Sequence, residues 1–417
     1  MHISMVSEDA SPLTALDDAD VDGRHVHIAE LSSALARAGH RVVVYTRRDS
    51  TDLPERVRTE ANYEVVHVPA GPPEPLGKDE LLPFTGEFGS FLRKEWSREL
   101  PDIAHAHFWI SGIAAQLAAR ELGVPTVQTF HALGIVERRH QNGRHRSTGD
   151  AGRADRIRLE KLVAHGATRV LAACSDEVTE LARMGLPRTR TSVIPCGVDV
   201  RRFEPDGPTL LPRRTKYRIV TVGKLLPRMG FDITIEALRA LPETELVVAG
   251  GSAGGDLSDD PEAARLADVA RRCGIADRVR IPGRIAPSQV PALLRSADIV
   301  VSNPWYEALG VVPLEAMACG RPVIAAAAGS VLDIVVDGIT GILVPPRLPE
   351  ALAKAARRLL GDPTTRDTYG IAGRDRAVAR YSWDRVAADT ARVYERILPV
   401  PCEESPREES LSGMKKK

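Results

Sequence analysis

Two glutamates separated by seven residues, Glu307 and Glu315, frame the segment of this chain with the clearest chemical potential. Gly310 between them allows a tight turn, and Pro313 is favoured at the start of a helix because its missing N–H is not needed there. The free amides of such a helix start attract phosphate, whereas carboxylates accept hydrogen bonds from hydroxyl groups. A site that binds hydroxyls and phosphate together predicts a nucleotide-sugar ligand.

Short β-rich runs alternate with helical patterns along both halves of the chain. This alternation predicts an α/β fold of two Rossmann-like, doubly wound domains, each with a parallel sheet and helices on both faces. Because such sheets bind ligands beyond the carboxyl ends of their strands, facing domains would form a cleft with a donor on one side and an acceptor on the other. The predicted strands are residues 3–6, 41–45, 64–68, 103–106, 126–130 and 169–173, then 218–222, 245–249, 279–281, 298–301 and 322–325, and the first predicted helix is 25–38.

Composition places the boundaries between the predicted segments. Residues 1–197 are predicted to form an N-terminal, acceptor-side Rossmann-like domain, and residues 217–380 a C-terminal domain that binds the nucleotide-sugar. The proline- and arginine-rich stretch 198–216 lacks periodicity and is predicted to link them. Residues 381–400 are expected to form a helix that returns to the N-terminal domain, and the charged residues 401–417 a disordered tail.

Charge balance, apolar runs, the N-terminus and the cysteines limit the class of protein and its expected location. Lys plus Arg and Asp plus Glu both number 56 in 417 residues, so no excess of positive charge indicates a nucleic-acid partner. No apolar run reaches the length of about 18 residues that indicates a transmembrane segment. The N-terminus lacks the pattern of a signal peptide. The five cysteines form no CxxC pair, which favours reduced thiols and a cytoplasmic location.

Several motifs in this order resemble the retaining family-4 glycosyltransferases, which have the two-domain GT-B architecture. The nearest likeness is to the bacterial sucrose-phosphate-synthase-like and inositol-phosphate-glycosyltransferase-like branch, from about residue 1 to residue 398. The resemblance implies transfer of a hexose-type sugar from a nucleoside diphosphate sugar to a hydroxyl acceptor, without a metal or other cofactor. The motifs that carry it are residues 105–109 (HAHFW), 129–134 (TFHALG), 193–199 (VIPCGVD), 304–307 (PWYE), 313–320 (PLEAMACG) and 337–341 (DGITG).

The resemblance also implies a role for individual residues. Glu307 would hold hydroxyl groups of the donor sugar, and Glu315 would accept hydrogen bonds from the ribose. His131 would lie beside the anomeric centre, so His131 and Glu307 are the predicted catalytic residues. The main-chain amides that would contact the sugar and the diphosphate are those of Leu309, Gly310 and Val311.

One diphosphate-binding loop departs from the family pattern. The family usually has arginine and lysine where this chain has Lys224 and Met229. Lysine lacks the two-pronged geometry of arginine, and methionine has no charge. Arg228 is the alternative cation, so Lys224 and Arg228 are predicted to bind the donor. Losing one strong contact to a reacting phosphate would cost about 2–4 kcal/mol, by analogy with an oxyanion-site donor.

The loop before the first helix departs as well. Relatives have a glycine-rich loop where this chain has residues 17–23 (DDADVDG), and only Gly23 is retained. Asp22 would repel a diphosphate unless Arg24 screens it, so Asp22, Gly23 and Arg24 are the predicted phosphate and acceptor loop. Together with Met229, the carboxylates of Asp17, Asp18 and Asp22 leave open a second class, a degenerate glycosyltransferase fold that serves as a non-catalytic partner or regulatory subunit. A sugar phosphorylase shares the fold, but its free-phosphate pocket is not evident.

The acceptor side differs from the relatives that use inositol phosphate. Those relatives have a tyrosine at the position of Phe108 and a threonine at that of Ala132, and both hydroxyls bind phosphate. Lys78 remains, so Lys78 and Phe108 are the predicted acceptor residues, and inositol phosphate is disfavoured. The basic stretch 138–158 has no aromatic residue for stacking bases, and is interpreted as a solvated loop or an acceptor lid.

The histidine pair of the 105–109 motif is a candidate metal site. His105 and His107 alternate on a predicted strand and therefore face the same side. No third ligand follows at a suitable spacing, so no metal site is predicted.

Overall fold

The computed structural model describes residues 1–14, 23–77, 80–140, 150–251, 257 and 260–398. Two parallel sheets, one in each half of the chain, confirm the predicted α/β class with two Rossmann-like domains. The predicted tail, residues 401–417, lies outside the described residues.

An eight-stranded sheet organises the first half of the chain, in the order β3-β4-β2-β1-β5-β6-β7-β8. Every neighbouring pair is parallel except β3 and β4, which are antiparallel. The strands are β1 His2–Val6, β2 Arg41–Arg47, β3 Arg56–Arg58, β4 Glu64–Val68, β5 Ile103–His107, β6 Thr126–Thr129, β7 Arg169–Ala172 and β8 Thr191–Val193. The helices are α1 Gly23–Arg37, α2 Thr85–Arg98, α3 Trp109–Leu122, α4 Gly134–His140, α5 Asp150–Gly166 and α6 Ser175–Arg183.

The strands of this sheet are apolar on both sides because helices cover both faces. Along β2, Val42 and Val44 pack in one hydrophobic cluster with residues of α1. Val43 and Tyr45 point the other way and pack with residues of α2 and α3. Side chains alternate between the two faces of a strand, so a continuous apolar run is what a sheet buried on both faces requires.

A six-stranded parallel sheet organises the second half, in the order β11-β10-β9-β12-β13-β14. Its strands are β9 Tyr217–Val222, β10 Thr244–Ala249, β11 Val279–Gly283, β12 Ile299–Ser302, β13 Val323–Ala326 and β14 Gly341–Val344. The helices are α7 Phe231–Leu238, α8 Pro261–Arg272, α9 Val290–Arg295, α10 Val311–Ala318, α11 Val331–Ile334, α12 Pro349–Gly361, α13 Pro363–Tyr381 and α14 Trp383–Ile397.

Three strands, β3, β8 and β14, were not predicted from the sequence. Each contains only three or four residues and lies at the edge of its sheet. A strand this short shows too few alternations to be distinguished from a loop.

The strand order places one crevice in each sheet. In the first sheet, β1 lies between β2 and β5, so the connections leave it in opposite directions. In the second sheet, β9 lies in the same way between β10 and β12. Ligands of open parallel sheets bind outside the carboxyl ends of the strands at such a reversal. The loops that follow β1, β5, β9 and β12 are therefore the places to look for a site.

The last helix joins the end of the chain to its beginning. Helix α14, within the segment 381–400 that was expected to return to the N-terminal domain, packs against α1. An ion pair between Arg37 and Asp384 (2.7 Å) and a hydrogen bond between His105 Nδ1 and Tyr394 Oη (2.6 Å) accompany this contact. The proposed domain boundaries stay a prediction. None of the helices described is at once long and apolar enough to cross a membrane.

Candidate active site

The segment between the two glutamates forms a turn and a helix start, at the reversal point of the second sheet. It follows the carboxyl end of β12, and Gly310 precedes the first residue of α10 with a left-handed φ of 71°. A Cβ atom at Gly310 would lie 2.1 Å from Ile334 Cδ1 and would make that side chain shift, and the left-handed backbone itself favours glycine. The turn therefore brings main-chain amides to the cleft.

Glu307 already engages two of the amides that were predicted to contact the donor. Its Oε1 atom accepts hydrogen bonds from the amides of Leu309 (3.3 Å) and Gly310 (3.0 Å). Burial raises the pKa of the Glu307 carboxyl, while these amides and the charge of Arg228 oppose the rise. The structure thus places Glu307, Leu309 and Gly310 together, within electrostatic range of Arg228.

Glu315 lies in a cavity of about 370 Å³ between α1 and the carboxyl ends of β9, β10 and β11. Burial raises the pKa of Glu315 to about 7, and the nearby charge of Arg202 opposes this. Both halves of the chain contribute to the cavity, which brings together several residues predicted from the sequence. Its walls include Gly23, Lys224, Gly250, Arg284, Val311 and Glu315.

The loop after β9 contains Met229, at the position where the family pattern has lysine. Met229 packs against the hydrophobic core of the second sheet, and a Cβ atom on Gly223 would lie 2.8 Å from its Cε. Lys224 and Arg228 are exposed, and Lys224 lines the cavity. The positive charge of Arg228 is close enough to lower the pKa of the Glu307 carboxyl, against the larger effect of burial. Met229 thus contributes to packing, and Arg228 is the cation of this loop that acts on Glu307.

His131 follows β6 and belongs to a group of buried histidines. Its backbone is left-handed (φ 61°), and its Nε2 lies 3.0 Å from Nδ1 of His107. The ring centroid of His27 lies 4.9 Å from that of His131, and burial lowers the pKa of His27 to about 4. Burial also holds the pKa of His107 well below its ordinary value. The partners of His131 are therefore neutral imidazoles at neutral pH.

Both ring nitrogens of His105 have hydrogen-bond partners within the protein. Its Nδ1 bonds the hydroxyl of Tyr394, and its Nε2 lies 2.9 Å from Thr129 Oγ1. Across the residues that the structure describes, no three or more His, Cys, Asp or Glu side chains are grouped to hold a metal ion.

Phe108, a predicted acceptor residue, is buried after β5 and lies beneath an arginine. The guanidinium carbon of Arg156 is 5.4 Å from the centroid of the Phe108 ring. Arg156 donates hydrogen bonds to Glu137 (2.8 Å), Glu160 (2.7 Å) and the carbonyl oxygen of Ala132 (3.1 Å). Two carboxylates therefore already balance its charge.

Some predicted residues cannot be placed in this geometry. The predicted acceptor residue Lys78 lies outside the described residues. So do Asp17, Asp18 and Asp22 of the phosphate and acceptor loop. Of that loop, Gly23 lines the cavity, and Arg24 is described through its main chain alone.

Two polar residues at the reversal points were missed by the sequence analysis. Asn303 follows β12 directly and is 4% exposed, and neither its Oδ1 nor its Nδ2 has a hydrogen-bond partner in the described part of the chain. Glu8 follows β1 by two residues and is 2% exposed, also without a partner for its carboxylate. Their place in the sequence could have indicated them, because each polar residue comes just after an apolar strand that lies centrally in its sheet.

The two halves of the chain touch on both sides of Glu307. Tyr306 packs against the hydrophobic cluster that contains Phe108 and hydrogen-bonds the side chain of Asp176. Asp333 Oδ2 accepts a hydrogen bond (2.6 Å) from the amide of Ser175, the first residue of α6. The turn that follows Glu307 therefore lies next to contacts between the two halves of the chain.

Comparison with known proteins agrees with this geometry. The family model described as Glycosyltransferase Family 4 matches residues 21–202, and that described as Glycosyl transferases group 1 matches residues 206–376. The D-inositol 3-phosphate glycosyltransferase of Xylanimonas cellulosilytica is 34% identical over 414 residues, covering 94% of this chain and 96% of that protein. The same enzyme of Kribbella flavida is 34% identical over 421 residues, covering 94% and 95%.

Solved structures show the same architecture. The sucrose-phosphate synthase of Thermosynechococcus elongatus superposes with a TM-score of 0.82 at 27% identity, covering 95% of this chain and 98% of that one. HepE of Anabaena, in complex with UDP and glucose, has a TM-score of 0.69 at 19% identity, covering 95% and 99%, which shows the fold alone. These relatives do not favour the non-catalytic alternative. With two adjoining family matches and named enzymes similar along nearly their whole length, the chain belongs to the family-4 glycosyltransferases of GT-B architecture and is a glycosyltransferase.

Proposed function

We propose that this glycosyltransferase moves a hexose-type sugar from a nucleoside diphosphate sugar to a hydroxyl acceptor, with retention of anomeric configuration. The observation that carries the proposal is the position of Glu307. Its carboxylate lies against the amides of Leu309 and Gly310 at the reversal point of the second sheet. Hydroxyl groups would bind to the carboxylate and phosphate oxygens to the amides, which is the combination that a nucleotide-sugar requires.

The cavity beside this turn fits the nucleotide. Glu315 would accept hydrogen bonds from the ribose, and Gly250, which lines the cavity, would face the base. A Cβ atom at Gly250 would lie 1.9 Å from the carbonyl oxygen of Gly223, so the packing of these two loops requires glycine there. HepE of Anabaena, which shares the fold, is described with UDP and glucose, so uridine donors are the first to test.

The diphosphate would leave between the loop after β9 and the start of α10. As the bond between the anomeric carbon and the diphosphate oxygen breaks, the acceptor oxygen forms a bond on the same face of the sugar. The departing phosphate oxygen takes the acceptor's proton. Lys224 and Arg228 would stabilise the charge that develops on the diphosphate. His131, held against the neutral His107, would lie beside the anomeric carbon and shape that face.

Hydrolysis of the donor tests this function without a known acceptor, because water can replace the acceptor hydroxyl. Purified protein is incubated with UDP-glucose, UDP-N-acetylglucosamine, GDP-mannose and ADP-glucose, and proton NMR follows the released sugar. We expect at least one donor to release nucleoside diphosphate together with a sugar that first appears in the donor's anomeric configuration. Release of the opposite anomer would overturn retention, and absence of binding and hydrolysis for every donor would overturn the proposed function.

A further inference from the structure

A buried carboxyl group lies at the reversal point of the first sheet, opposite the donor site. The Glu8 amide donates to Ser111 Oγ (2.9 Å) in the first turn of α3, and the Glu8 carbonyl oxygen accepts from the Arg47 amide (3.2 Å) at the end of β2. The residue is thus fixed between the carboxyl ends of β2 and β5. Ligands of such sheets bind at this position, so Glu8 borders the expected acceptor crevice.

The carboxyl group of Glu8 is buried, and no described residue compensates for the lost water with a hydrogen bond. It is 2% exposed, and both carboxylate oxygens lack a hydrogen-bond partner among the residues described. Burial raises its pKa to about 8; the charge of Asp9 adds to the rise and that of Arg47 opposes it. A buried polar group without a partner costs stability, and proteins keep such groups chiefly where a ligand or water completes the bonding. Donor binding and the transfer step make no use of this carboxyl.

Two described arginines on this side of the first sheet, Arg47 and Arg156, already have hydrogen-bond partners. Arg47 donates to the carbonyl oxygens of Pro72 (2.7 Å) and Glu74 (2.5 Å). Arg156, above Phe108, is bound to two glutamates and a carbonyl oxygen. Among the described side chains, a phosphate group arriving here would meet guanidinium groups whose hydrogen bonds are in use. A hydroxyl group would instead meet the Glu8 carboxyl, whose oxygens have no partner among the residues described.

We propose that the acceptor is an uncharged polyhydroxy compound, a sugar or cyclitol without phosphate, and that Glu8 accepts a hydrogen bond from one of its hydroxyl groups. This inference rests on the proposed function. A neutral acceptor would distinguish this chain from the relatives named for D-inositol 3-phosphate. The absence of hydroxyl groups at Phe108 and Ala132 argues only against phosphate, whereas Glu8 is assigned here as a residue that selects for the neutral compound. A site built to bind a hydroxyl discriminates strongly against compounds that leave its buried groups unpaired.

Paired acceptors test the inference directly. The donor with the fastest hydrolysis is offered with myo-inositol or D-inositol 3-phosphate, with glucose or glucose 6-phosphate, and with fructose or fructose 6-phosphate, and mass spectrometry detects the glycosylated product. We expect a neutral compound to be glycosylated with a kcat/KM at least about tenfold above that of its phosphate ester. Preference for the ester in that pair would overturn the inference. So would donor hydrolysis without transfer to any neutral compound at high millimolar concentration, and the proposed function would then still stand.

Variants of Glu8 identify the residue responsible. Glu8→Leu removes the hydrogen-bond acceptor and is expected to raise the KM for the neutral acceptor about tenfold or more. Glu8→Gln keeps a carbonyl oxygen and should hold that KM within a few-fold. Glu60→Gln, at an exposed carboxylate in the same half of the chain, is the matched control. An unchanged KM in Glu8→Leu, with thermal unfolding showing a folded protein, would contradict the role of Glu8.

Discussion

Replacing Glu307 by alanine should separate nucleotide binding from sugar transfer. In the free enzyme the Glu307 carboxylate occupies the amides of Leu309 and Gly310, at 3.3 and 3.0 Å. A diphosphate that uses the same amides must first displace it. Truncation to alanine removes this competition, so binding of UDP or GDP is expected to persist or to tighten. The donor's sugar hydroxyls, however, lose the carboxylate that holds them.

The two effects have different sizes. A hydrogen bond to a charged group contributes about 1.5–3 kcal/mol, so releasing two amides frees roughly 3 kcal/mol at the lower figure. Nucleotide affinity would therefore rise by about a hundredfold, at about 1.4 kcal/mol for each factor of ten. Loss of a contact that positions the reacting group costs about 2.7–4 kcal/mol, which lowers donor hydrolysis by roughly a hundredfold to a thousandfold.

Calorimetry with UDP and GDP measures the first effect, and release of nucleoside diphosphate measures the second. Glu236→Ala, at an exposed carboxylate on α7, serves as the control and should change neither quantity. Loss of nucleotide binding in a folded Glu307→Ala protein would refute the competition for the amides. Hydrolysis at the unmutated rate would refute the role of Glu307 in holding the sugar.

Three further predictions concern side chains that the fold has placed. Arg228→Ala should slow donor hydrolysis by raising its activation barrier by about 2–4 kcal/mol. Met229→Lys should lower the unfolding temperature without raising the rate of hydrolysis, because Met229 packs against the core. A faster Met229→Lys enzyme in the same assay would contradict this orientation of Met229. Glu8 has a higher pKa in the folded protein than its ordinary 4.5, so the folded state binds more protons and stability falls as pH rises from 4.5 to about 8. This loss amounts to roughly 5 kcal/mol at about 1.4 kcal/mol per pKa unit. Urea unfolding across this range should show a shallower decline for Glu8→Gln, and identical slopes would exclude a buried, uncompensated carboxyl.

The sequence by itself determined the architecture and the turn before a helix between Glu307 and Glu315. The alternation of apolar strands with helical periods is a local property, and so is a glycine that precedes a helix between two glutamates. The expected strands of both sheets formed at nearly the predicted positions. Only β3, β8 and β14 were missed, since edge strands of three or four residues leave little local pattern.

Only the tertiary structure decided which charges face the cleft. The sequence shows methionine at position 229, but only the structure packs it against the core of the second sheet and brings the charge of Arg228 within range of the Glu307 carboxyl. Arg156 is one of several arginines in a basic stretch; Glu160 pairs with it one turn along α5, but its second partner, Glu137, is brought to it by the contact between α4 and α5. Glu8 looks like an ordinary polar residue until the sheet and α3 bury it. Burial and contacts between elements depend on residues far apart in the chain, so no local pattern could reveal them.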